Sequence, residues 1–359
     1  MPLYVYVGAY TGPGRAEGIS VFQMNGSTGA LAHVQTLAGI ENPSFLALHP
    51  QRPYLYAVNE VASYQGQPGG AVSAFGVDTA TGRLSLLNQQ ASHGTLPCHL
   101  SLDPSGAFVL VANYGSGSLA VLPVQEDGRL GPATDVVQHA GRGPHPRRQE
   151  GPHAHFITPD PAGAFILACD LGIDRIMIYR LDHAQGKLVA NEIPYGQVSS
   201  GAGPRHLAFH PSGRYAYVIN ELDSTVSAFA YDGARGALQV IQTVSTLPPD
   251  FHGANTCAHV LVHGGGRFLY GSNRGHDSIA IFAIDQDTGR LSPVGHEPTR
   301  GRTPRNFNVD PSGAFLLAAN QNSNSIVTFR IDPVSGRLAA AGPVTESPAP
   351  VCIQFGQFE

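Results

Sequence analysis

Short runs of strand-forming residues, broken by glycine and proline, fill the chain. Alternating segments at Phe45–His49, Leu100–Asp103, Leu207–His210 and Phe307–Asp310 each run into a His-Pro or Asp-Pro pair. A glycine turn follows, and then a more continuously apolar segment: Tyr54–Val58, Phe108–Ala112, Tyr215–Ile219, Phe268–Ser272 or Phe315–Ala319. Length and aromatic or β-branched content mark these as strands. Each ends near a polar residue, Asn59, Asn113, Asp170, Asn220, Asn273 or Asn320. Third strands are predicted over 118–122, 225–229 and 278–282. Each unit then closes on Gly-x-Leu, as at Gly82–Leu84, Gly128–Leu130, Gly186–Leu188, Gly236–Leu238, Gly289–Leu291 and Gly336–Leu338. No apolar face recurs at helical spacing over about 12 residues.

The units repeat every ~50 residues with four strands each, which is the signature of a β-propeller blade. A chain of 359 residues holds seven such units. The N-terminus opens on second and third strands, at Leu3–Tyr10 and Gly18–Phe22, and Pro350–Phe355 reads as a first strand. The expected fold is therefore all-β: a seven-bladed propeller in one domain over residues 1–359. The two ends of the chain share one blade, which removes the exposed edges of an open ring.

Composition narrows the function. A net charge of −5 argues against a general nucleic-acid binder. Lys187 is the sole lysine and follows no Gly-rich run, so a P-loop is excluded. Cys98, Cys169, Cys257 and Cys352 form no C-x-x-C pair and read as reduced core thiols. The opening segment reads as a strand rather than a signal peptide, and no apolar run reaches the ~20 residues that span a bilayer. A cytoplasmic protein that does not engage membranes is expected, as a monomer or weak homo-oligomer.

Propeller geometry places the start of each first strand beside the end of each second strand, on one rim of the central channel. The first set of slots holds Ser44, Cys98, His153, Arg205, Cys257, Arg305 and Val351; the second holds Glu60, Tyr114, Leu171, Glu221, Arg274 and Gln321. The scaffold tolerates Cys, Leu and Val there, so charge at six of these positions points to a ligand. Arginine forks suit an anion, and a His/carboxylate pair suits proton transfer. Glu60 and Arg305 lie in different blades and also suit structural pairing. Asn59, Asn113 and Asn320 suit turns; Asn220 and Asn273 flank the charged candidates and are expected to help orient a ligand. His49 and His210 belong to strand ends. Residues 136–155 break the pattern with a run rich in Arg, His, Gly and Pro. The run reads either as a lid that brings Arg147 or Arg148 to an anion, or as a solvated insertion. His153 and His155 share one side of a strand, but His-x-His without matched carboxylates is weak support for a metal.

Gly201–Pro211 with Tyr215–Leu222, the His153 segment, Ser272–Arg274 and Pro304–Phe307 resemble the seven-bladed propeller lactonases. That family includes propeller-type 6-phosphogluconolactonase and fungal 3-carboxy-cis,cis-muconate lactonizing enzyme. The resemblance covers essentially the whole chain. It implies that His153, Arg205, Arg274 and Glu221 carry the site, with His155 competing for the histidine role. The expected reaction is metal-independent, cofactor-free hydrolysis of a small anionic lactone, 6-phosphoglucono-δ-lactone. His153 or Glu221 would activate water and Arg205 would stabilise the oxyanion. Arg274, Arg148, His155, Arg305, Asn220 and Asn273 make up the expected substrate contacts. The rivals are carboxymuconate cycloisomerisation, a non-catalytic interaction platform and a calcium-dependent gluconolactonase-like site.

Overall fold

The computed structural model describes residues 1–358. Seven antiparallel sheets follow one another along the chain. Blade 1 contains Leu3–Ala9, Gly18–Met24 and Leu31–Ala38, and its inner strand is Pro350–Gly356. Tyr4 pairs with Gly356 and Gly8 with Cys352, so the chain ends close the ring as expected. Blades 2 to 7 begin at Leu46–Leu48, Pro97–Leu102, Ala154–Pro159, Pro204–Phe209, Thr256–Val262 and Pro304–Val309, and each runs outward through three further strands. Blade 7 adds Thr345–Glu346 beside its third strand. One 3-10 turn, Gln321–Ser323, is the only helical element among the described residues.

The repeated Gly-x-Leu has a physical role that alignment alone does not reveal. Each glycine caps an aromatic ring of the preceding blade. At Gly289 φ is +70°, and a Cβ would stand 2.4 Å from the Tyr215 ring. Gly82 against Tyr4 repeats the arrangement. The same glycines offer carbonyls to second-strand tyrosines. Tyr6, Tyr56, Tyr217 and Tyr270 donate to the carbonyls of Gly82, Gly128, Gly289 and Gly336 at 2.9–3.1 Å. These rings are fully buried. Each contributes about 1.5–3 kcal/mol of apolar burial while its hydroxyl stays satisfied.

First strands in blades 3 to 7 share one irregularity. The register against the second strand shifts after the opening residue, at Pro97/His99, Ala154/Phe156, Pro204/His206, Cys257/Val260 and Pro304/Asn306. A bulge re-aims side chains at a strand end. Here it falls at Cys98, His155, Arg205, Ala258 and Arg305, within or beside the slots that the repeat marked.

Candidate active site

Glu221 is the hub of the channel mouth. Its Oε2 accepts from Arg205 Nε at 2.9 Å and from Arg274 Nη2 at 2.9 Å, and its Oε1 accepts from Arg148 Nη2. Burial alone would raise the Glu221 carboxyl, but Arg274, Arg205, His155 and Arg148 hold it well below the usual carboxylate range. Burial pushes Arg205 down to about 9, so it remains a cation at neutral pH. Each guanidinium keeps donors beyond those it gives Glu221, and Arg274 Nε is buried with no partner. Three cations around one anion leave this cluster at a formal +2.

His153 stands beside this cluster. Its ring stacks on Tyr114 with centroids 4.6 Å apart. Tyr114 in turn accepts from Arg148 through its hydroxyl at 3.3 Å. His153 Nδ1 lies 3.0 Å from the Tyr114 carbonyl, which can only accept, so Nδ1 carries a proton, and Nε2 faces Glu150 Oε1 at 3.3 Å. The backbone N–H of His153 donates to Asp170 Oδ1 at 2.7 Å. Asp170 fills the slot that asparagine occupies in blades 2, 3, 5, 6 and 7. Its second oxygen takes His139 Nδ1 at 2.6 Å, and His139 Nε2 meets the Tyr179 hydroxyl at 3.0 Å. This buried carboxylate–imidazole–phenol line fixes the start of the first strand that presents His153.

The irregular 136–152 segment is moored over the mouth. Gln149 is fully buried; its amide donates to the Leu171 carbonyl and to Asp174 Oδ1 at 2.7 Å. Asp174 also accepts from Gly201 and Gly203, the turn that leads into Arg205. One carboxylate thus sets Arg148 through Gln149 and Arg205 through the turn. Of the two readings of this segment, the structure shows one anchored at the site, with Arg148 about one-third exposed.

On the other side of the mouth, Arg305 and Glu60 are joined through a third residue. Tyr10 donates to Glu60 at 2.9 Å and accepts from Arg305 Nη2 at 2.9 Å. A narrow, water-sized cavity between Arg205 and Arg305 is lined by Ser44, Glu60, Cys98 and His155 as well. Burial raises the Cys98 thiol well above its usual range, so it is a wall rather than a nucleophile.

Rings close the channel beneath the cavity. His99 lies 4.1 Å from both Phe45 and Phe156, centroid to centroid, and His206 packs against His155, Phe156 and His259. Arg205 Nη1 reaches His206 Nε2 at 3.0 Å. Because a guanidinium only donates, His206 carries its proton on Nδ1 and gives it to His259 Nδ1 at 2.8 Å. Burial, followed by the neighbouring cations, lowers all four histidines: His99, His155 and His206 go well below the ordinary imidazole value and His259 to about 3.

Placement differs among the remaining sequence candidates. Asn220 and Asn273 are fully buried, and their amides bond within strand ends, to Thr225 and Ser227 and to Thr246 and Ser278. Asn273 Oδ1 accepts from Thr246 Oγ1 at 2.8 Å, whereas Asn220 Oδ1 is buried without a partner. Asn59, Asn113 and Asn320 likewise donate to carbonyls of the preceding connection. His155 is buried with its ring against Tyr114 and His206, which leaves His153 as the more accessible histidine. His210 reaches the Gly266 carbonyl in the next blade. The four cysteines are unpaired and buried. Among the described residues, no three His, Cys, Asp or Glu side chains converge as a metal site would require, and no helix is long and apolar enough to cross a membrane. Sequence reasoning passed over Tyr10, Tyr114, Asp170 and Asp174. Tyr114 stood in a marked slot, and Asp170 was the one acid in an asparagine series.

A 6-phosphogluconolactonase of Bacillus subtilis strain 168 is 41% identical over 307 residues, which are 86% of this chain and 85% of that protein. A 6-phosphogluconolactonase of Formosa agariphila is 37% identical over 312 residues, 86% of each chain. The structure of a periplasmic gluconolactonase from Pseudomonas aeruginosa superposes with a TM-score of 0.92 at 33% identity, covering 99% of both chains. The family model for lactonases with a 7-bladed beta-propeller matches residues 4–355, and the chain belongs to that family.

Proposed function

We propose that this protein hydrolyses a sugar lactone, 6-phosphoglucono-δ-lactone, to 6-phosphogluconate at the channel mouth. The carrying observation is the Glu221 hub: three guanidiniums with donors to spare, at a net +2, beside an imidazole held by the Tyr114 carbonyl. A phosphate dianion complements that charge. The names of the two phosphogluconolactonase relatives support the same substrate.

His153 is the base in this reading. A carboxylate held far below its usual range has little affinity for a proton, so Glu221 serves to orient its arginines. His153 Nε2 takes a proton from water. The resulting hydroxide adds to the lactone carbonyl carbon, and the tetrahedral oxyanion is stabilised by Arg205. The ring C–O bond then breaks, and the imidazolium returns its proton to the departing alkoxide. Glu150 Oε1, 3.3 Å from His153 Nε2, supports the transient imidazolium. General base help is worth about 10²–10⁴-fold and one oxyanion donor about 10²–10³-fold. All the groups come from one chain, so no second copy is needed. The four reduced cysteines suit the cytoplasm, although the Pseudomonas relative is periplasmic.

The test is a pH-stat assay with freshly made 6-phosphogluconolactone and, in parallel, unphosphorylated gluconolactone. The proposal expects a strong preference for the phosphorylated compound. Equal rates would favour a gluconolactonase, and no rate above background with either would remove the proposal.

A further inference from the structure

We propose that Tyr10, Glu60, Arg305 and Ser44 form a second, electrically neutral subsite that binds the hydroxyl-bearing edge of the sugar ring. This rests on the lactonase reading and adds an orientation to it. The mouth is divided. Blades 3 to 6 supply Tyr114, His153, Glu221 and the three arginines around it. Blades 7, 1 and 2 supply Arg305, Tyr10, Glu60 and Ser44. The first half carries a formal +2, while the second pairs one cation with one anion and sums to zero.

The chemistry of the second half fits neutral hydroxyls better than phosphate. Glu60 accepts, Arg305 donates, and the Tyr10 hydroxyl between them is held by both. Burial opposes charge on Arg305, but Tyr10 and Glu60 keep it firmly protonated. A phosphate placed here would meet the Glu60 carboxylate. Vicinal hydroxyls can donate to that carboxylate and accept from the guanidinium at once. An independent observation points to a ligand: Ser44 is 5% exposed, lines the shared cavity, and its Oγ has no partner. A buried hydroxyl without a partner is uncommon. Gln321, in the slot that Glu221 fills two blades earlier, also carries a buried unpartnered oxygen.

The substrate is divided in the same way. In a 1,5-lactone of a six-carbon aldonic acid, the carbonyl carbon and the carbon bearing the phosphorylated arm both attach to the ring oxygen. The three free hydroxyls sit on the opposite edge. Carbonyl and phosphate therefore face the Glu221 half, and the hydroxyl edge faces Tyr10, Glu60 and Arg305 on the other side of the mouth.

Two ratios of kcat/KM test this in Tyr10→Phe and Glu60→Gln. One compares 6-phosphogluconolactone with gluconolactone and reads the phosphate. The other compares gluconolactone with δ-valerolactone, which lacks hydroxyls, and reads the ring edge. Both variants should lower the second ratio by about 10–100-fold, the worth of a hydrogen bond to a charged group, and leave the first unchanged. A fall in the first ratio with the second intact would reverse the orientation, and no change in either would remove the subsite. Thermal melts confirm folding, and Tyr10→Phe deletes only one oxygen. Should the wild type hydrolyse no lactone, the enzymatic reading fails by itself. Calorimetric titration with gluconate then still decides: binding weakened about tenfold by Glu60→Gln supports the subsite, and equal or absent binding overturns it.

Discussion

Acid should destabilise this protein steeply, and the channel histidines set the slope. His99, His155, His206 and His259 are neutral in the folded state because burial and nearby cations disfavour their charge. In the unfolded chain each takes a proton near pH 6.5. The folded value is depressed, so between the two values the unfolded state binds more protons, and stability falls as pH falls. The loss begins below pH ~6.5 and continues toward the folded value, about 3 for His259. Each such histidine costs about 1.4 kcal/mol per pH unit once the unfolded chain is protonated. Four together cost about 5 kcal/mol between pH 6 and pH 5, comparable with the ~5–15 kcal/mol of a whole domain. Urea unfolding at pH 7, 6 and 5 measures this. His99→Leu, which replaces a ring held between Phe45 and Phe156, should lower overall stability yet flatten the pH slope by about a quarter. Stability that is level from pH 7 to 5, or a slope unmoved by His99→Leu, would refute the argument.

Glu221→Gln leaves Arg205 and Arg274 buried without their anion. We expect a stability loss of about 3–5 kcal/mol in urea unfolding and a fall of at least about 10²-fold in kcat/KM; unchanged values for both would remove the hub. In His153→Gln, kcat should fall about 10²–10⁴-fold with KM little changed, whereas Glu221→Gln, which disturbs the arginines, should raise KM as well. The reverse pattern would make Glu221 the base. Exhaustive chelation should leave kcat unchanged; activity lost to chelator and restored by calcium would bring back the calcium-dependent rival.

How much was legible from sequence depended on whether a feature repeats. Gly-x-Leu and the Asn-terminated second strands recur because each blade meets the same geometric demand, a ring under a glycine and a buried leucine. Seven units and closure by Pro350–Gly356 follow from that. Arg205, Glu221, Arg274 and His153 stood out as charges in slots that the scaffold leaves free. What did not repeat was harder to read. Arg148 lies in an insertion, and its reach to Glu221 depends on Gln149 and Asp174, whose mooring bonds no periodicity encodes. Tyr10 and Tyr114 were passed over because an uncharged ring in a mouth slot resembles scaffold. Asn220 and Asn273 were assigned to the ligand by sequence proximity alone. One residue along a strand inverts the side-chain direction, and the amide N–H groups of both are given to residues at or beside strand ends. That three arginines share one glutamate depends on distances between elements far apart along the chain.

The central claim is that one chain builds an anion-binding hydrolytic site from side chains near 148, 153, 205, 221 and 274. The most direct measurement is the crystal structure of the protein with 6-phosphogluconate, the stable product. The account predicts phosphate oxygens on the guanidiniums that surround Glu221, the new carboxylate within reach of His153, and hydroxyls toward Tyr10 and Glu60. Product bound away from this mouth, or phosphate lodged against Glu60 with the Glu221 arginines untouched, would contradict it.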